Sequence, residues 1–222
     1  MSKREHQKSE SYIDWLKSLG CLVYLPLSDD GDLQDRISGL SLQLTGYGSM
    51  VWDNAQQMYK VTHPSSGTYN YVASLDNGLS VSLFQDGNYT VLQNIVMITN
   101  SSSKYICSFS PKSQNSVTCE ATSATWGTTG RTNSFPRALA KCGYVGNHSQ
   151  SNRSFYQNGT LFGTYAEYTN YLPSNWNMDG TGITIGCNAS NRRYGVQYYI
   201  SEIYLFNTPI DLQTIREIQG YE

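Results

Sequence analysis

The run Val196–Phe206 constrains the fold of this chain most strongly. It is rich in aromatic and β-branched residues, which suit the pleated, half-buried surface of a sheet. Alternate residues of a strand share a face. The predicted faces are Ile200, Glu202, Tyr204 and Phe206 on one side and Tyr199, Ser201, Ile203 and Leu205 on the other. Because both faces are largely apolar, the run is predicted to be a central strand.

A hairpin, a short strand and a helix surround this run. Residues 155–157 and 160–162 flank Asn158-Gly159, a pair that tolerates the positive φ angles of a type I′ turn. Ile183, Thr184 and Ile185 then form a β-branched run. After Phe206, Asp211 is a predicted N-cap for a last helix that ends at Gly220.

This order of elements resembles the laminin-G-like branch of the concanavalin A-like lectin/glucanase superfamily. The match is clearest over residues 154–218, and a weaker one covers residues 24–27 with Asp35 and Gly39. The resemblance implies an all-β fold, an antiparallel β-sandwich of the concanavalin A-like jelly-roll type with short N- and C-terminal helices. It also implies carbohydrate binding or adhesion, although a fold of this kind serves many functions.

The length and the charge of the chain fit one such domain and argue against nucleic acids as partners. A length of 222 residues suits a single β-sandwich. Only 14% of residues are charged and the net charge is -2, so the chain lacks the basic surface that nucleic acids require. No run is apolar and long enough to suggest a membrane helix or a signal peptide.

Residues 1–20 are predicted to be an N-terminal arm with a short helix, and residues 21–222 the lectin-like domain. Tyr12, Trp15, Leu16 and Leu19 recur at helical spacing before Gly20. Two interpretations stay open: the helix caps one end of the sandwich, or it docks onto another protein or onto copies of this chain. The docking interpretation predicts that deleting residues 1–18 leaves a folded sandwich that no longer assembles.

Further strands are predicted between these ends, with polar loops among them. The predicted strands are residues 21–27, 41–44, 50–52, 69–75, 79–84, 89–98, 104–109, 116–121 and 139–146. A loop is expected around Trp126, because Thr and Gly dominate that segment.

Three stretches combine aromatic rings with amide and guanidinium groups. Rings cover the apolar faces of sugars, while amides and guanidinium groups meet their hydroxyls. The predicted ligand-binding residues are Trp126, Arg131, Tyr168, Tyr171, Trp176, Asn191, Arg193 and Tyr194. The alternative is that these rings pack the loops onto the sandwich. The predicted partner is a glycan or polysaccharide.

Catalysis is the weaker hypothesis. Glycoside hydrolysis needs two carboxylates held about 5–10 Å apart, and the chain lacks the Glu-x-Asp-x-x-Glu pattern that supplies them on one strand face. A divergent glucanase-like hydrolase would have to use Glu120, Glu167 or Glu202. No catalytic residue is assigned.

A group of aspartates follows the first predicted strand. Asp30, Asp32 and Asp35, with Asp29 beside them, are close enough in sequence to hold Ca²⁺. The EF-hand pattern is incomplete because the glutamate expected at the twelfth loop position is missing. A solvated turn is therefore the favoured interpretation, and the calcium site is the alternative.

The five cysteines and the absence of a leader bear on location. Without an export signal, the cysteines are predicted to be mostly free, buried thiols, and one bridge such as Cys107 with Cys119 is the alternative. A glycan-binding domain meets its ligand outside a cell. The sequence therefore predicts either a bacteriophage virion surface protein made in the host cytoplasm or a secreted bacterial protein from which a leader has been removed.

Overall fold

The computed structural model is an antiparallel β-sandwich with one helix near each end of the chain. It describes residues 9–63, 72–75, 88–98, 104–109, 117–121, 125–128, 131–134, 140–147, 152–166, 183–185 and 196–221. The helices are α1 (Glu10–Ser18) and α2 (Leu212–Gln219). The first strands are β1 (Cys21–Leu25), β2 (Gln43–Leu44), β3 (Ser49–Asp53), β4 (Met58–His63), β5 (Ala73–Leu75), β6 (Tyr89–Met97) and β7 (Lys104–Phe109). The others are β8 (Val117–Ala121), β9 (Thr125–Thr128), β10 (Arg131–Ser134), β11 (Ala140–Asn147), β12 (Asn152–Gln157), β13 (Thr160–Ala166), β14 (Ile183–Ile185) and β15 (Val196–Phe206).

Strand β15 lies at the centre of an 8-stranded sheet, as the sequence predicts. This sheet runs β13-β12-β11-β6-β15-β4-β3, with β1 also paired to β15. One edge of β15 pairs with β6, and its other edge pairs first with β4 and then with β1. The second sheet is 7-stranded and runs β10-β9-β8-β7-β14-β5-β2. Among the described residues, every strand pair is antiparallel.

A β-bulge in β15 overturns the predicted division of its faces. The register against β6 shifts between Ser201 and Ile203, and Glu202 has a φ of 51°. The extra residue moves Ile203 to the side of Ile200, and both are fully buried in the same core cluster. The predicted grouping of Ile200 with Tyr204 and Phe206 is therefore wrong.

The main core lies between the two sheets. The side of each sheet that faces this core is called the inner face below. The 7-stranded sheet contributes Ala73, Leu75 and Ile185 to this core, together with Val72, which directly precedes β5. They pack with residues of the 8-stranded sheet, including Val61, Val91, Ile95, Phe155, Ile200, Ile203 and Leu205.

The two helices cover the outer face of the 8-stranded sheet. Tyr12 and Leu16 of α1 are 6% and 0% exposed, and they form a second apolar cluster with Tyr24, Tyr204 and residues of α2. The rings of Tyr24 and Tyr204 stack with centroids 4.5 Å apart. Helix α1 therefore covers a sheet face rather than an end of the sandwich, and it is packed into the domain rather than held apart as an arm. Neither helix that the structure describes is long and apolar enough to cross a membrane.

Several local predictions are confirmed. Asn158 and Gly159 have φ angles of 50° and 70° in the β12–β13 turn. The Asp211 side chain accepts a hydrogen bond from the backbone of Thr214, and Gly220 ends α2 in the left-handed conformation. The sequence analysis missed β4, β9 and β10, and the predicted strand at residues 79–84 lies outside the described residues.

Candidate functional site

The hairpin β9–β10 forms one edge of the 7-stranded sheet, where a loop was expected. Trp126 lies opposite Ala121 of β8 and Asn133 of β10, and Arg131 lies opposite Thr128. The expectation of a loop around Trp126 is therefore wrong. Threonine suits strands because its β-branched side chain fits a pleated surface, and four of the eight residues in these two strands are threonine or serine.

The register places Trp126 and Arg131 on one face of the hairpin. Directly opposed residues of neighbouring strands share a face, as do residues two apart on one strand. Trp126 and Thr128 thus share a face with their partners Asn133 and Arg131. Two positions that the sequence analysis selected for their chemistry are brought to the same side of the sheet.

This side is the inner face of the sheet. Successive cross-strand partners lead from Thr128 to Cys119, from Cys119 to Cys107, and from Cys107 to Ile185. Ile185 is fully buried in the core between the sheets. The inner face therefore changes along the sheet, from apolar positions at β14 and β5 to polar and aromatic positions at β9 and β10.

The 8-stranded sheet carries a matching pair of positions that sequence reasoning missed. Phe155 of β12 is fully buried in the main core, so Arg153, two residues earlier, occupies the same inner face. Arg153 lies opposite Tyr165 of β13. The signal was available, because Arg153 keeps the alternation that Phe155 begins.

These positions combine groups that suit a sugar ring. An indole covers a C–H face, hydroxyl and amide groups exchange hydrogen bonds with sugar hydroxyls, and a guanidinium group can bind a carboxylate through two parallel hydrogen bonds. Trp126, Thr128, Arg131 and Asn133 supply one group of each kind on one sheet face. We call these four residues the inner-face patch.

The other predicted ligand-binding residues lie outside the described residues. They are Tyr168, Tyr171, Trp176, Asn191, Arg193 and Tyr194. Their assignment to a binding site stays a prediction.

The aspartate loop after β1 has a structural role. Asp35 is fully buried, and its carboxylate accepts hydrogen bonds from the backbone N–H groups of Tyr24 and Ile37 at 2.9 and 3.0 Å. Ser38 donates to the same carboxylate through its backbone N–H and its hydroxyl, at 3.1 and 2.5 Å. The carboxylate thus fixes the loop against the start of the domain. For this residue, the favoured interpretation as part of a solvated turn is wrong.

Asp32 is also engaged, and the aspartates do not assemble as a cation site. Asp32 is only 8% exposed. Its carboxylate pairs with Arg36 and accepts a hydrogen bond from the Ser28 hydroxyl at 2.8 Å. Asp30 is exposed. The part of the chain that the structure describes contains no group of three or more His, Cys, Asp or Glu side chains placed to hold a metal ion, so Asp30, Asp32 and Asp35 do not form one.

The carboxylates considered for hydrolysis are separated by the sandwich. Glu120 follows Cys119 on β8 and therefore occupies the outer face of the 7-stranded sheet. Glu202 lies in the 8-stranded sheet, where it accepts a 2.6 Å hydrogen bond from Asn94 near the outer-face tyrosines. Glu167 is outside the described residues. Glu120 and Glu202 cannot form the close pair that glycoside hydrolysis needs.

A concave surface lies between the helices. A cavity of about 310 Å³ is lined by Ser11, Tyr12, Trp15 and Glu217, with the rings of Tyr12 and Trp15 5.5 Å apart. Burial, with smaller contributions from the carboxylates of Glu202 and Glu217, raises the pKa of Tyr12 to about 12. The phenol therefore stays protonated at neutral pH. This cavity is at the lower limit of size for a small-ligand site.

Comparison with known proteins places the fold. No protein-family model matches this chain, and no curated protein sequence matches it. Botulinum neurotoxin type C, whose passage into cells depends upon interaction with two ganglioside molecules, superposes with a TM-score of 0.65 at 14% identity, over 95% of this chain and 52% of that chain. The binding domain of botulinum neurotoxin DC in complex with rat synaptotagmin II gives 0.59 at 13% identity, over 90% and 51%.

A Trypanosoma rangeli sialidase in complex with sialic acid is a further match, with a TM-score of 0.58 at 9% identity, over 89% of this chain and 32% of that chain. This chain thus spans about half the length of the neurotoxin chains and about a third of the sialidase. At such low identities the likeness concerns the fold alone, which is an antiparallel β-sandwich. It does not single out the laminin-G-like branch.

Proposed function

We propose that this chain is a non-catalytic carbohydrate-binding module and that the inner-face patch contacts the sugar. The observation that carries the proposal is the β9–β10 register, which gathers Trp126, Thr128, Arg131 and Asn133 on one sheet face. A ring, a hydroxyl, a guanidinium group and an amide together match the mixed apolar and polar surface of a pyranose.

We further propose that the preferred sugar carries a carboxylate. Arg131 and Arg153 occupy inner-face positions of the two opposing sheets, and guanidinium groups bind carboxylates in a planar, two-bonded geometry. The chain has a net charge of only -2, so the protein as a whole repels such a ligand weakly. Support also comes from structures with the same fold, which are described with gangliosides and with sialic acid.

The test is a glycan array in which each sialylated oligosaccharide has a desialylated counterpart, followed by calorimetry on the best ligand. Trp126→Ala is expected to lower affinity at least about tenfold, because the sugar loses its apolar platform. Arg131→Ala is expected to weaken binding of the sialylated member of each pair and to leave its counterpart nearly unchanged.

Thr132→Ala is the matched control, since Thr132 lies on the same strand but on the opposite face. Trp176→Ala tests the predicted aromatic stretch outside the described residues. If neither tryptophan variant changes binding, the assignment of these residues as the site is wrong. An array without any bound glycan would overturn the proposed function itself.

We also propose that the chain meets its ligand outside a cell, either on a virion or as a secreted protein. The two locations make different demands on the gene. A virion protein is expected to lie among capsid and tail genes, whereas a secreted one is expected to have an export signal in its full reading frame. Sequencing the complete reading frame with its neighbours distinguishes them, and a gene with neither feature would contradict the proposal.

A further inference from the structure

We propose that Cys107 and Cys119 form a disulfide between β7 and β8 when the chain meets an oxidising environment. The two residues are directly opposed cross-strand partners. On one side of this pair, Ser108 with Thr118 and Phe109 with Val117 continue the same register, and on the other side the register shifts between Tyr105 and Cys107. The sequence analysis left this bridge open as an alternative.

The backbone geometry of such a pair suits a disulfide. Opposed residues of antiparallel strands have Cα atoms about 4.5–5.5 Å apart. Disulfides join residues whose Cα atoms are about 4.4–6.8 Å apart. Directly opposed residues also share a sheet face, so both cysteines occupy the inner face at the same level along their strands.

The other described cysteines are poorly placed to compete. Cys21 is packed in the cluster under the helices, Cys142 is packed in the main core, and neither is part of a disulfide. Burial raises the pKa of each thiol well above its ordinary value, which leaves almost no reactive thiolate at neutral pH. Cys187 lies outside the described residues.

The reaction is thiol–disulfide exchange with a low-molecular-weight disulfide. The thiolate of one cysteine attacks that disulfide and releases one small thiol, leaving a mixed disulfide on the protein. The thiolate of the second cysteine then displaces the other small thiol. In total, two cysteines are oxidised and one small disulfide is reduced to two thiols, which receive the two protons that the cysteines lose.

The bridge closes a short loop around residues 108–118. Restricting this loop in the unfolded chain is expected to raise the Tm by about 5–10 °C. Because β8 is also paired with β9, the bridge ties the outer strands of the 7-stranded sheet to its centre. It would form whether or not the chain binds a glycan.

The test uses the full chain, purified with reductant and then equilibrated with oxidised glutathione. Trypsin cuts after Lys104, Lys112 and Arg131, so Cys107 and Cys119 fall in separate peptides, residues 105–112 and 113–131. Mass spectrometry without reductant is expected to find these two peptides joined. Titration in denaturant is expected to count three thiols, the five of the sequence less the two in the bridge.

Cys107→Ser and Cys119→Ser are each expected to remove the oxidant-dependent rise in Tm, and Cys142→Ala is the matched control that retains it. Peptide mapping of the unchanged chain decides the matter even if a variant fails to fold. Five titratable thiols after oxidation, or a linked peptide that joins another pair of cysteines, would overturn the proposal.

Discussion

At the scale of single residues, Asp35 shows how a polar side chain can be structural. Its carboxylate is fully buried and serves four donors on Tyr24, Ile37 and Ser38. A buried donor that loses its acceptor pays the cost of desolvation without compensation. Asp35 therefore anchors the loop after β1 to the 8-stranded sheet.

Replacing Asp35 tests this role. Asp35→Ala is expected to lower the free energy of unfolding by about 3 kcal/mol, because the buried N–H of Tyr24 and the partly buried N–H groups of Ile37 and Ser38 lose their acceptor. Asp30→Ala is the matched control, since Asp30 is exposed in the same loop, and it is expected to change stability by less than about 0.5 kcal/mol. Urea unfolding of the two variants compares them, and equal losses would contradict the structural role of Asp35.

Some properties of individual residues could be predicted from the sequence, and others depend on the three-dimensional structure. Trp126 and Arg131 were selected on composition, and their common face depends on a strand register that only the structure supplies. Burial of Asp35 was not predictable, because a run of nearby aspartates has the same composition in a solvated turn and in a buried hydrogen-bond network. Turn residues such as Asn158 and Gly159 were predictable, because their φ angles are a local property.

At the scale of elements, β15 and α1 show where periodicity is sufficient and where it fails. The apolar spacing in α1 predicted the helix and its buried side, and Tyr12 and Leu16 indeed lie inward. In β15 one extra residue at Glu202 reverses the alternation of the two faces. No sequence pattern predicts a bulge at a non-glycine residue. The strand was predicted, but the faces beyond residue 201 were not.

Helix α1 is expected to be indispensable for stability. Leu16→Ala should lower the free energy of unfolding by about 2–5 kcal/mol, because Leu16 is completely buried beneath the helix. Leu40→Ala is the matched control, since Leu40 is 47% exposed, and it should cost under about 1 kcal/mol. Chemical denaturation provides the comparison.

Deletion of residues 1–18 should be more severe, because it removes both Tyr12 and Leu16 from the second apolar cluster. This outcome is the opposite of the one that the docking-arm interpretation predicts. A truncated chain that unfolds at the same denaturant concentration as the full chain would restore that interpretation.

At the scale of the whole molecule, three tyrosines link α1, β1 and β15. Tyr12, Tyr24 and Tyr204 pack together, with Tyr12 and Tyr24 centroids 6.0 Å apart and the Tyr24 and Tyr204 rings stacked. Burial raises the pKa of all three phenols, and the charge of Glu202 adds to the effect. The folded domain therefore favours the neutral phenols, whereas the unfolded chain does not.

Because the folded domain favours the neutral phenols, its free energy of unfolding is predicted to fall at alkaline pH. Stability from the raised pKa values is complete below the unfolded pKa of about 10 and is lost as pH rises through the folded pKa, which for Tyr12 is about 12. Tyr12 alone should account for about 2–3 kcal/mol over that interval. Urea unfolding at about pH 9 and about pH 11.5 measures the loss.

Tyr12→Phe should lose less stability than the unchanged chain between these two pH values, because it has one fewer buried phenol to ionise. An equal loss in both proteins would show that other groups control the alkaline transition.

Both helices lie on the outer face of the 8-stranded sheet. Their position determines how the domain is oriented relative to a carrier that is joined to either helix. A carrier tethered beyond α1 or α2 attaches on the helix side, so the 8-stranded sheet lies between the carrier and the inner face of the 7-stranded sheet. Many copies on one carrier would then present their 7-stranded sheets in the same direction. Under that arrangement, sites that each hold a sugar weakly gain avidity from their effective concentration, without any new contact within the domain.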